Sequence, residues 1–346
     1  MAAPAFGNGV GAGSFVAPTL EPSDRSPFCR HGDLALTLRD RHFPVHAGQS
    51  GRTRMRIDLM AGATTAAVAR SVAPAPTILV FDSGLGGLTV LEQVRRARPD
   101  AAYIYAADDA AFPYGRLSEP VLVERVLGVM ERLIGLHAPD LVVVACNTAS
   151  TLVLPALRQR FATPFVGVVP PIKPAAEATR SRVISLLATP GTVARAYTHE
   201  LVETYASACA VTLVGAPNLA GFAEAELAGL PVDDAALARE IAPCFVTLED
   251  GRRTDVVCLA CTHYPLLLAR FQALAPWPVT WIDPAPAIAR RVTQLIGPSP
   301  RALGQDDAPV LGAFTSGAGL SAPLRRSLEA RGIGRVAVEA MPLGLQ

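Results

Sequence analysis

Short apolar runs alternate with amphipathic segments along the chain from residue 77 onward. The run at 77–81 is rich in β-branched and aromatic residues, and a glycine-rich turn and helical periodicity at 88–96 follow it. Apolar runs bounded by turn residues predict strands, and the amphipathic segments between them predict helices. Further strands are predicted at 102–105, 141–145, 183–187, 211–214 and 256–260, and further helices at 119–136 and 235–248.

The alternation of strands and helices determines the predicted fold class. Strands separated by helices pair in parallel, and strands that are apolar throughout are covered by helices on both faces. The sequence therefore predicts a doubly wound α/β fold with parallel central sheets. In such sheets, ligands bind in the loops at the carboxyl ends of the strands.

Two of the predicted strands carry the same pattern 115 residues apart. Asp140 lies six residues before Cys146, and Asp255 lies six residues before Cys261, with an apolar strand inside each interval. This offset is about the length of one α/β domain. The repeat therefore predicts two similar halves, each with one thiol at the end of a strand.

Composition narrows the class of protein. The chain has 346 residues, of which half are apolar, and its 31 Lys and Arg against 30 Asp and Glu give a formal net charge of +1. Balanced charge provides no overall field for nucleic acid or an anionic membrane surface, and no apolar run reaches the ~18 residues of a transmembrane helix. We therefore expect a soluble protein with neither nucleic acid nor membrane as a partner.

The first 76 residues lack the periodicity of the rest and mix Gly, Pro, Ala, Ser and Arg. This composition predicts a disordered, low-complexity extension, and the alternatives are that translation begins at Met55 or Met60 or that the extension is a functional tail. The segment also lacks the charged start, apolar core and cleavage site of a secretion signal. Six cysteines are too sparse for a disulfide scaffold. We therefore expect a cytoplasmic protein.

Cys146 and Cys261 are the principal candidates for reactive groups. Each ends an apolar strand and is followed by polar residues typical of a helix start. A helix N-terminus supplies partial positive charge and free N–H groups, which lower the pKa of a thiol from its ordinary value of ~8.5. The alternative is that both thiols simply pack in the core, where cysteine is common. The matched pair favours reactive thiols.

Other residues suggest chemistry that is less specific. Cys258 and Cys261 form a C-x-x-C, but a strand would turn them to opposite faces and the chain offers no further zinc pattern, so we expect no metal. Lys173, the only lysine, is expected to be a solvated turn residue rather than the site of a pyridoxal Schiff base. The turn at 82–87 either presents N–H groups to a carboxylate, with Asp82 accepting from an ammonium, or is only a tight strand-to-helix turn.

Five motifs together resemble those of the bacterial glutamate racemases, in the aspartate/glutamate racemase superfamily. They are FDSGLGGLTVL at 81–91, PYG at 113–115, CNTAS at 146–150, VPPIKPA at 169–175 and CTHYPLL at 261–267. The resemblance spans roughly residues 77–340. It implies two similar α/β domains related by a pseudo-two-fold axis, with the active site in the cleft between them. Residues 77–170 plus 284–346 would form one domain, and residues 171–283 the other.

The resemblance also implies a reaction: cofactor-independent racemisation of L-glutamate to D-glutamate for peptidoglycan synthesis. Cys146 would deprotonate D-glutamate and Cys261 would deprotonate L-glutamate, and the opposite thiol would reprotonate the planar intermediate. The residues implied to support the two catalytic thiols are Asp82, His263 and Glu224. The residues implied to bind the substrate are Asp82, Ser83, Tyr114, Gly115, Asn147, Thr148, Thr262 and His263.

The motifs specify the reaction type better than they specify the oligomeric state or the substrate. Family members are often dimers, so the resemblance implies a homodimer as one state. The length of the substrate's side chain cannot be read from the motifs. Two alternatives therefore remain: a related racemase acting on aspartate or another α-acid, and a non-catalytic amino-acid-binding module with inert cysteines.

Overall fold

Two parallel β-sheets organise the computed structural model, which describes residues 75–300 and 309–341. The predicted extension at 1–76 lies, apart from its last two residues, outside the described residues. The strands are β1 (Thr77–Asp82), β2 (Ala102–Ala107), β3 (Leu141–Val144), β4 (Phe165–Gly167), β5 (Val183–Ala188), β6 (Ala210–Gly215), β7 (Val256–Ala260), β8 (Thr280–Ile282), β9 (Leu311–Phe314) and β10 (Arg335–Val338). The helices are α1 (Leu88–Ala97), α2 (Glu119–His137), α3 (Asn147–Arg160), α4 (Ile172–Ala178), α5 (Pro190–Val193), α6 (Ala196–Tyr205), α7 (Leu219–Leu227), α8 (Asp234–Ile241), α9 (Leu268–Leu274), α10 (Ala285–Ile296) and α11 (Ala322–Glu329).

The two sheets share an order of strands. The first sheet has the order β10-β9-β2-β1-β3-β4 and the second has the order β6-β5-β7-β8. Neighbouring strands are parallel throughout both sheets. The second order repeats β2-β1-β3-β4, so β5 to β8 correspond to β1 to β4. The predicted pair of similar doubly wound sheets is confirmed, and the strands before Cys146 and Cys261 are equivalent.

The aspartates before β3 and β7 explain why the sequence pattern repeats. Asp140 accepts a hydrogen bond of 2.8 Å from the backbone N–H of Thr77, where β1 begins. Asp255 accepts hydrogen bonds of 2.7 and 2.9 Å from the backbone N–H groups of Arg180 and Ser181, just before β5. Each carboxylate therefore ties the start of its own strand to the start of the neighbouring central strand.

Helices cover both faces of each sheet, as strands that are apolar throughout predict. In β1, Val80 packs in the cluster of α1, α10 and α11, whereas Phe81 packs in the cluster of α2 and α3. In β7, Leu259 packs with α7 and α8, whereas Cys258 faces the cluster that includes α4 and α6. The central strands β1, β3, β5 and β7 are thus packed on both faces, and the polar side chains of the candidate site lie where these strands end.

Most of the predicted elements match an observed element to within one or two residues at each end. The helix predicted at 235–248 ends at Ile241, because Pro243 lies in the 3₁₀ turn Ala242–Cys244 and cannot donate a helical hydrogen bond. Strands β4, β8, β9 and β10 were not predicted. Each has only three or four residues, one of which is Gly, Thr or Arg, so none forms an unbroken apolar run as the equally short β3 does.

In the sequence, the strands of the first sheet lie both before and after the strands of the second sheet. Those of the first sheet lie at 77–167 and 311–338, and those of the second sheet lie at 183–282. The described residues belong to one compact unit. The domain bounds at 77–170 plus 284–346 and at 171–283 therefore stay a prediction. Within the described ranges, no helix is both long and apolar enough to cross a membrane.

A buried ion pair fixes the end of α10 to the first sheet. Arg98 and Asp100 are 3% and 8% exposed and are joined by two hydrogen bonds of 2.9 and 2.7 Å. Arg98 also donates to the carbonyl oxygens of Ile296 and Gly297, each at 2.8 Å. The hydrogen bonds from Arg98, against the opposing effect of burial, lower the pKa of Asp100 to about 2.

We expect Arg98→Met to lower the free energy of unfolding by about 3 to 5 kcal/mol at neutral pH, because it leaves a buried carboxylate without its counter-charge. A carboxyl whose pKa is lowered by folding stabilises the protein above its unfolded pKa and loses that contribution on protonation. The difference between wild type and variant should therefore shrink as the pH falls from about 4 towards 2. Urea denaturation across this pH range measures it.

The matched control is Arg252→Met. Arg252 pairs with Asp250 at the same sequence separation, but the two side chains are 47% and 51% exposed. Exposed pairs contribute about 0 to 1 kcal/mol, so this variant should stay close to wild type. A loss from Arg98→Met no larger than that of the control would contradict the anchoring role of Arg98.

Candidate active site

Cys146 and Cys261 occupy equivalent ends of the two sheets. Cys146 follows β3 and Cys261 follows β7. They are 6% and 7% exposed, so both thiols are buried. The Ser83 hydroxyl lies 3.6 Å from the Cys146 sulfur, and the preceding residue, Asp82, is hydrogen-bonded to Thr262, which directly follows Cys261. The structure brings the two predicted thiols into one site.

The backbone after the two thiols differs. Cys146 is the N-cap of α3, as predicted. Cys261 is followed by the 3₁₀ turn Tyr264–Leu267, and α9 begins only at Leu268. The prediction of a helix N-terminus at Cys261 is therefore wrong. The physical reason is Pro265, which has no N–H to donate to the Cys261 carbonyl oxygen; this oxygen accepts instead from the Tyr264 N–H at 3.1 Å, which is a 3₁₀ bond rather than an α-helical one.

Cys146 lies in a buried environment beside carboxylate and hydroxyl groups. Burial raises the pKa of its thiol, and Asp82 raises it further. The Ser83 hydroxyl oxygen, 3.6 Å from the Cys146 sulfur, and the Ala149 backbone N–H favour the thiolate but do not offset burial. The expectation that the helix terminus lowers this pKa is therefore wrong, because desolvation of the charged form is the larger effect.

His263 connects Cys261 to an acidic side chain. Its Nδ1 atom lies 3.8 Å from the Cys261 sulfur, and its Nε2 atom lies 2.8 Å from Oε1 of Glu224. Burial lowers the pKa of His263, but the interactions with Cys261 and Glu224 outweigh burial and raise the pKa well above its usual value. The imidazole is thus suited to hold a proton beside Cys261. The structure brings all three of these predicted residues together.

Asp82 joins the ends of the two sheets. Its carboxylate accepts hydrogen bonds from the backbone N–H groups of Ser83, at 2.9 Å, and Gly87. The hydroxyl of Thr262, which follows β7, also donates to this carboxylate at 3.1 Å. Burial raises the pKa of Asp82, although His263 and these hydrogen bonds act in the opposite direction. Asp82 is therefore a buried acid in contact with both halves of the site.

The glycine-rich turn after β1 allows side chains from the second half to approach its backbone. The Leu85 N–H donates to Glu224 at 2.6 Å, and the Gly86 nitrogen lies 3.1 Å from Nε2 of His263. A Cβ at Gly84 would lie 2.3 Å from Oε1 of Glu224. The N–H groups predicted to be available for a ligand carboxylate therefore face side chains of the protein, and the turn instead lies against His263 and Glu224.

A second group of hydroxyls faces the first half from the second sheet. The Thr148 hydroxyl lies 3.1 Å from that of Thr189 and 3.4 Å from that of Thr192. The sequence analysis missed Thr189 and Thr192. The strand correspondence contains the signal that was needed, because Thr189 directly follows β5 as Ser83 directly follows β1.

Asn147 and Tyr114 complete the predicted set. The side-chain Oδ1 and Nδ2 atoms of Asn147 are buried and have no hydrogen-bond partner. Such groups are rare because an unpaired buried amide is costly. Tyr114 is buried, and its hydroxyl donates to Asp108 at 2.6 Å. A Cβ at Gly115 would lie 3.7 Å from that of Thr189, so this turn reaches the second half.

Two residues considered for other chemistry lie apart from the thiol pair. Cys258 faces the opposite side of β7 from Cys261, as predicted, and its sulfur lies 3.6 Å from the carbonyl oxygen of Pro171. Lys173 lies in the first turn of α4 rather than in a loop, because the helix begins at Ile172. Its ammonium lies 5.8 Å from the centre of the Tyr205 ring, in a cation–π contact.

An α/β protein whose buried thiols, imidazole and carboxylates meet at the ends of two equivalent sheets has the features of an acid–base enzyme. Residues 88–292 match the family model described as Asp/Glu/Hydantoin racemase. The chain belongs to this racemase family and is an isomerase.

Individual relatives agree with the family model. Glutamate racemase from Brucella anthropi is 56% identical over 222 residues, which cover 64% of this chain and 80% of that protein. Glutamate racemase from Mesorhizobium japonicum is 55% identical over 241 residues, which cover 69% and 91%. The crystal structure of Escherichia coli glutamate racemase, in complex with L-glutamate and activator UDP-MurNAc-ala, matches with a TM-score of 0.70 and 41% identity, covering 77% of this chain and 99% of that chain.

We expect Gly86→Ala to misplace two side chains of the site. The added Cβ would lie 2.4 Å from Nδ1 of His263 and 2.5 Å from the Thr262 hydroxyl, so both must move. Displacements of this kind near reacting groups cost about 100-fold in rate. Racemisation, followed by loss of optical rotation, should fall by about this factor while the circular dichroism spectrum stays unchanged.

Gly128→Ala is the control for this variant. Gly128 lies in α2, and a Cβ there would meet nothing within 4 Å. Alanine is the better helix former, so activity should not change and stability should not fall. Equal racemisation rates in the two variants would show that the close approach of Gly86 to His263 has no catalytic consequence.

The alkylation of Cys146 should depend on pH in a defined direction. Because its pKa is raised, little thiolate is present at neutral pH, and the thiolate is the reactive form. The rate of its reaction with iodoacetamide, measured by peptide mass spectrometry, should still increase with pH above about 8.5, the ordinary thiol pKa. A rate that levels off below about 8.5 would contradict the effect of burial.

Proposed function

We propose that this protein is a glutamate racemase that interconverts L- and D-glutamate. The observation that carries the proposal is the pair Cys146 and Cys261 at equivalent ends of two equivalent sheets, each beside its own acid–base group. The names of the curated relatives, at more than half identity, support glutamate as the substrate.

In the proposed mechanism, each thiol serves one face of the substrate. Cys146 takes the α-proton from D-glutamate and Cys261 takes it from L-glutamate. The opposite thiol then returns a proton to the planar intermediate, so the two cysteines exchange protonation states in each turnover. No group is oxidised or reduced in this exchange.

The neighbouring acids and bases allow each thiol to lose its proton and become a thiolate. His263 accepts the proton of Cys261, since its raised pKa favours an imidazolium beside a thiolate. Asp82, the carboxylate whose charge acts on Cys146, accepts the proton of that thiol, helped by its own raised pKa. Glu224 holds His263 in position from the far side of the ring. Each thiolate thus forms only together with a protonated partner.

The polar groups around the thiols bind the substrate in this proposal. The two unpartnered side-chain atoms of Asn147 can donate to a carboxylate and accept from an ammonium. We add Thr189 and Thr192 to the binding residues, because their hydroxyls meet that of Thr148 across the site. Ser83, Thr262 and the turn that contains Tyr114 and Gly115 complete the proposed binding set. Donors of this kind stabilise the charge that develops on the α-carboxylate.

The biological setting belongs to the same proposal. We propose that the reaction supplies D-glutamate for peptidoglycan synthesis in the cytoplasm. The site lies between two domains, formed by residues 77–170 plus 284–346 and by residues 171–283, and opening between them admits the substrate to thiols that are 6% and 7% exposed.

The test is hydrogen exchange at the α-carbon in D₂O. Wild type should convert either enantiomer into deuterated product of the opposite hand. Cys146→Ser retains only the thiol that deprotonates L-glutamate, so it should exchange the α-proton of L-glutamate without racemising it. Cys261→Ser should do the same for D-glutamate only. Proton NMR and chiral chromatography separate exchange from racemisation.

Cys258→Ser is the matched control, because Cys258 lies on the same strand but faces the other side of the sheet. It should racemise both enantiomers at the wild-type rate. Racemisation by either active-site variant at that rate would eliminate the two-base mechanism. Turnover of aspartate in preference to glutamate by wild type would replace the proposed substrate.

A further inference from the structure

A buried ion pair lies directly behind the turn that contains Tyr114. Asp108, which is fully buried after β2, accepts two hydrogen bonds from Arg125 of α2, of 2.8 Å from Nε and 2.5 Å from Nη2. The Thr315 hydroxyl donates to the same carboxylate at 2.7 Å. Arg125 also donates to the carbonyl oxygen of Met341 at 2.5 Å. The pair therefore links β2, α2, the end of β9 and the last described residue of the chain.

The same carboxylate holds Tyr114. The Tyr114 hydroxyl donates to Oδ2 of Asp108 at 2.6 Å, and this oxygen also accepts from Nε of Arg125. The Tyr114 ring packs in the cluster that contains Cys146. The next residue, Gly115, approaches Thr189 and Gly191 of the second half. A displacement of Tyr114 would therefore be felt at the reacting thiol and at the contact between the halves.

The charge of Arg125 determines whether Asp108 can hold the Tyr114 hydroxyl in place. A buried carboxylate without a partner is strongly unfavourable, so removal of the guanidinium would force Asp108 to move or to take up a proton. A protonated carboxyl would be a donor as well as an acceptor and would no longer specify the orientation of the Tyr114 hydroxyl. The planar, bidentate guanidinium keeps both carboxylate oxygens as acceptors in a fixed geometry.

We infer that Arg125 is a positioning residue of the racemase: through Asp108 it fixes Tyr114, and thereby the 114–115 turn, against the substrate and Cys146. The inference rests on the proposed function, because the turn matters for activity only if it binds the substrate. Arg125 itself bonds to Asp108 and Met341 rather than to either thiol.

The test compares Arg125→Met and Arg125→Lys with Arg132→Met. Arg132 lies two turns along the same helix and pairs with Glu339, close in sequence to Met341, but this pair is 51% and 23% exposed. Arg125→Met should raise the KM for glutamate about 10-fold and lower kcat/KM by up to about 100-fold, because the binding turn is no longer fixed. Arg125→Lys keeps the charge but not the bidentate geometry and should fall between. Arg132→Met should match wild type.

A double-mutant cycle separates positioning from a general loss of stability. Tyr114→Phe removes only the hydroxyl that Asp108 accepts. In that background, Arg125→Lys and Arg125→Met should each lower kcat/KM by less than about threefold further, since their effect passes through this hydroxyl. If Arg125→Met does not fold, the cycle with Arg125→Lys gives the same measurement.

Two results would overturn the inference. One is a loss in kcat/KM that is equally large with and without the Tyr114 hydroxyl. The other is activity in Arg125→Lys and Arg125→Met equal to that of Arg132→Met. Failure of the proposed function has a different signature, because wild type and Arg132→Met would then both leave the optical rotation of glutamate unchanged.

Discussion

The hydrogen bond from Thr262 to Asp82 joins the carboxyl ends of the two sheets, and the rest of the site depends on it. Thr262 lies between Cys261 and His263 in the chain, and Asp82 precedes Ser83, which touches Cys146. This one contact, at 3.1 Å, therefore relates the position of one thiol to that of the other. Its surroundings are fully buried, where an unpaired partner is costly, so the contact is strongly specified.

The two halves share a topology but differ in their chemistry. Thr148 and His263 each lie two residues after a site cysteine, and each reaches across to the turn of the opposite half: Thr148 to Thr189 and Thr192, and His263 to Gly86. On one side the contacts are between hydroxyls, and on the other they involve an imidazole and a carboxylate. The approximate symmetry therefore places the two thiols at equivalent strand ends, and the departures from it give each thiol different neighbours.

Burial has two opposing effects on the charged groups of the site. Excluding water strengthens the interactions of charged groups, but it also raises the pKa of Cys146, so the thiolate is not available without a proton acceptor. The same constraint explains the network around Asp108. A carboxylate in that position requires the guanidinium of Arg125, and once both are present they orient Tyr114 with little freedom. The buried pair of Asp108 and Arg125 thus fixes the position of a neighbouring side chain.

The sequence by itself determined the alternation of strands and helices and the two candidate thiols. It also contained the repeat of Asp140 and Cys146 at Asp255 and Cys261. These features follow from local periodicity and fixed spacing. The short strands β4 and β8 to β10 were not predicted, since three or four residues interrupted by Gly, Thr or Arg give no periodic signal. Tertiary structure alone decided what depends on groups distant in the chain. Desolvation reversed the expected pKa shift of Cys146, and the N–H groups of Leu85 and Gly86 in the glycine-rich turn face Glu224 and His263. Local sequence carries no information about which distant side chains enclose a group, and that enclosure sets its electrostatics.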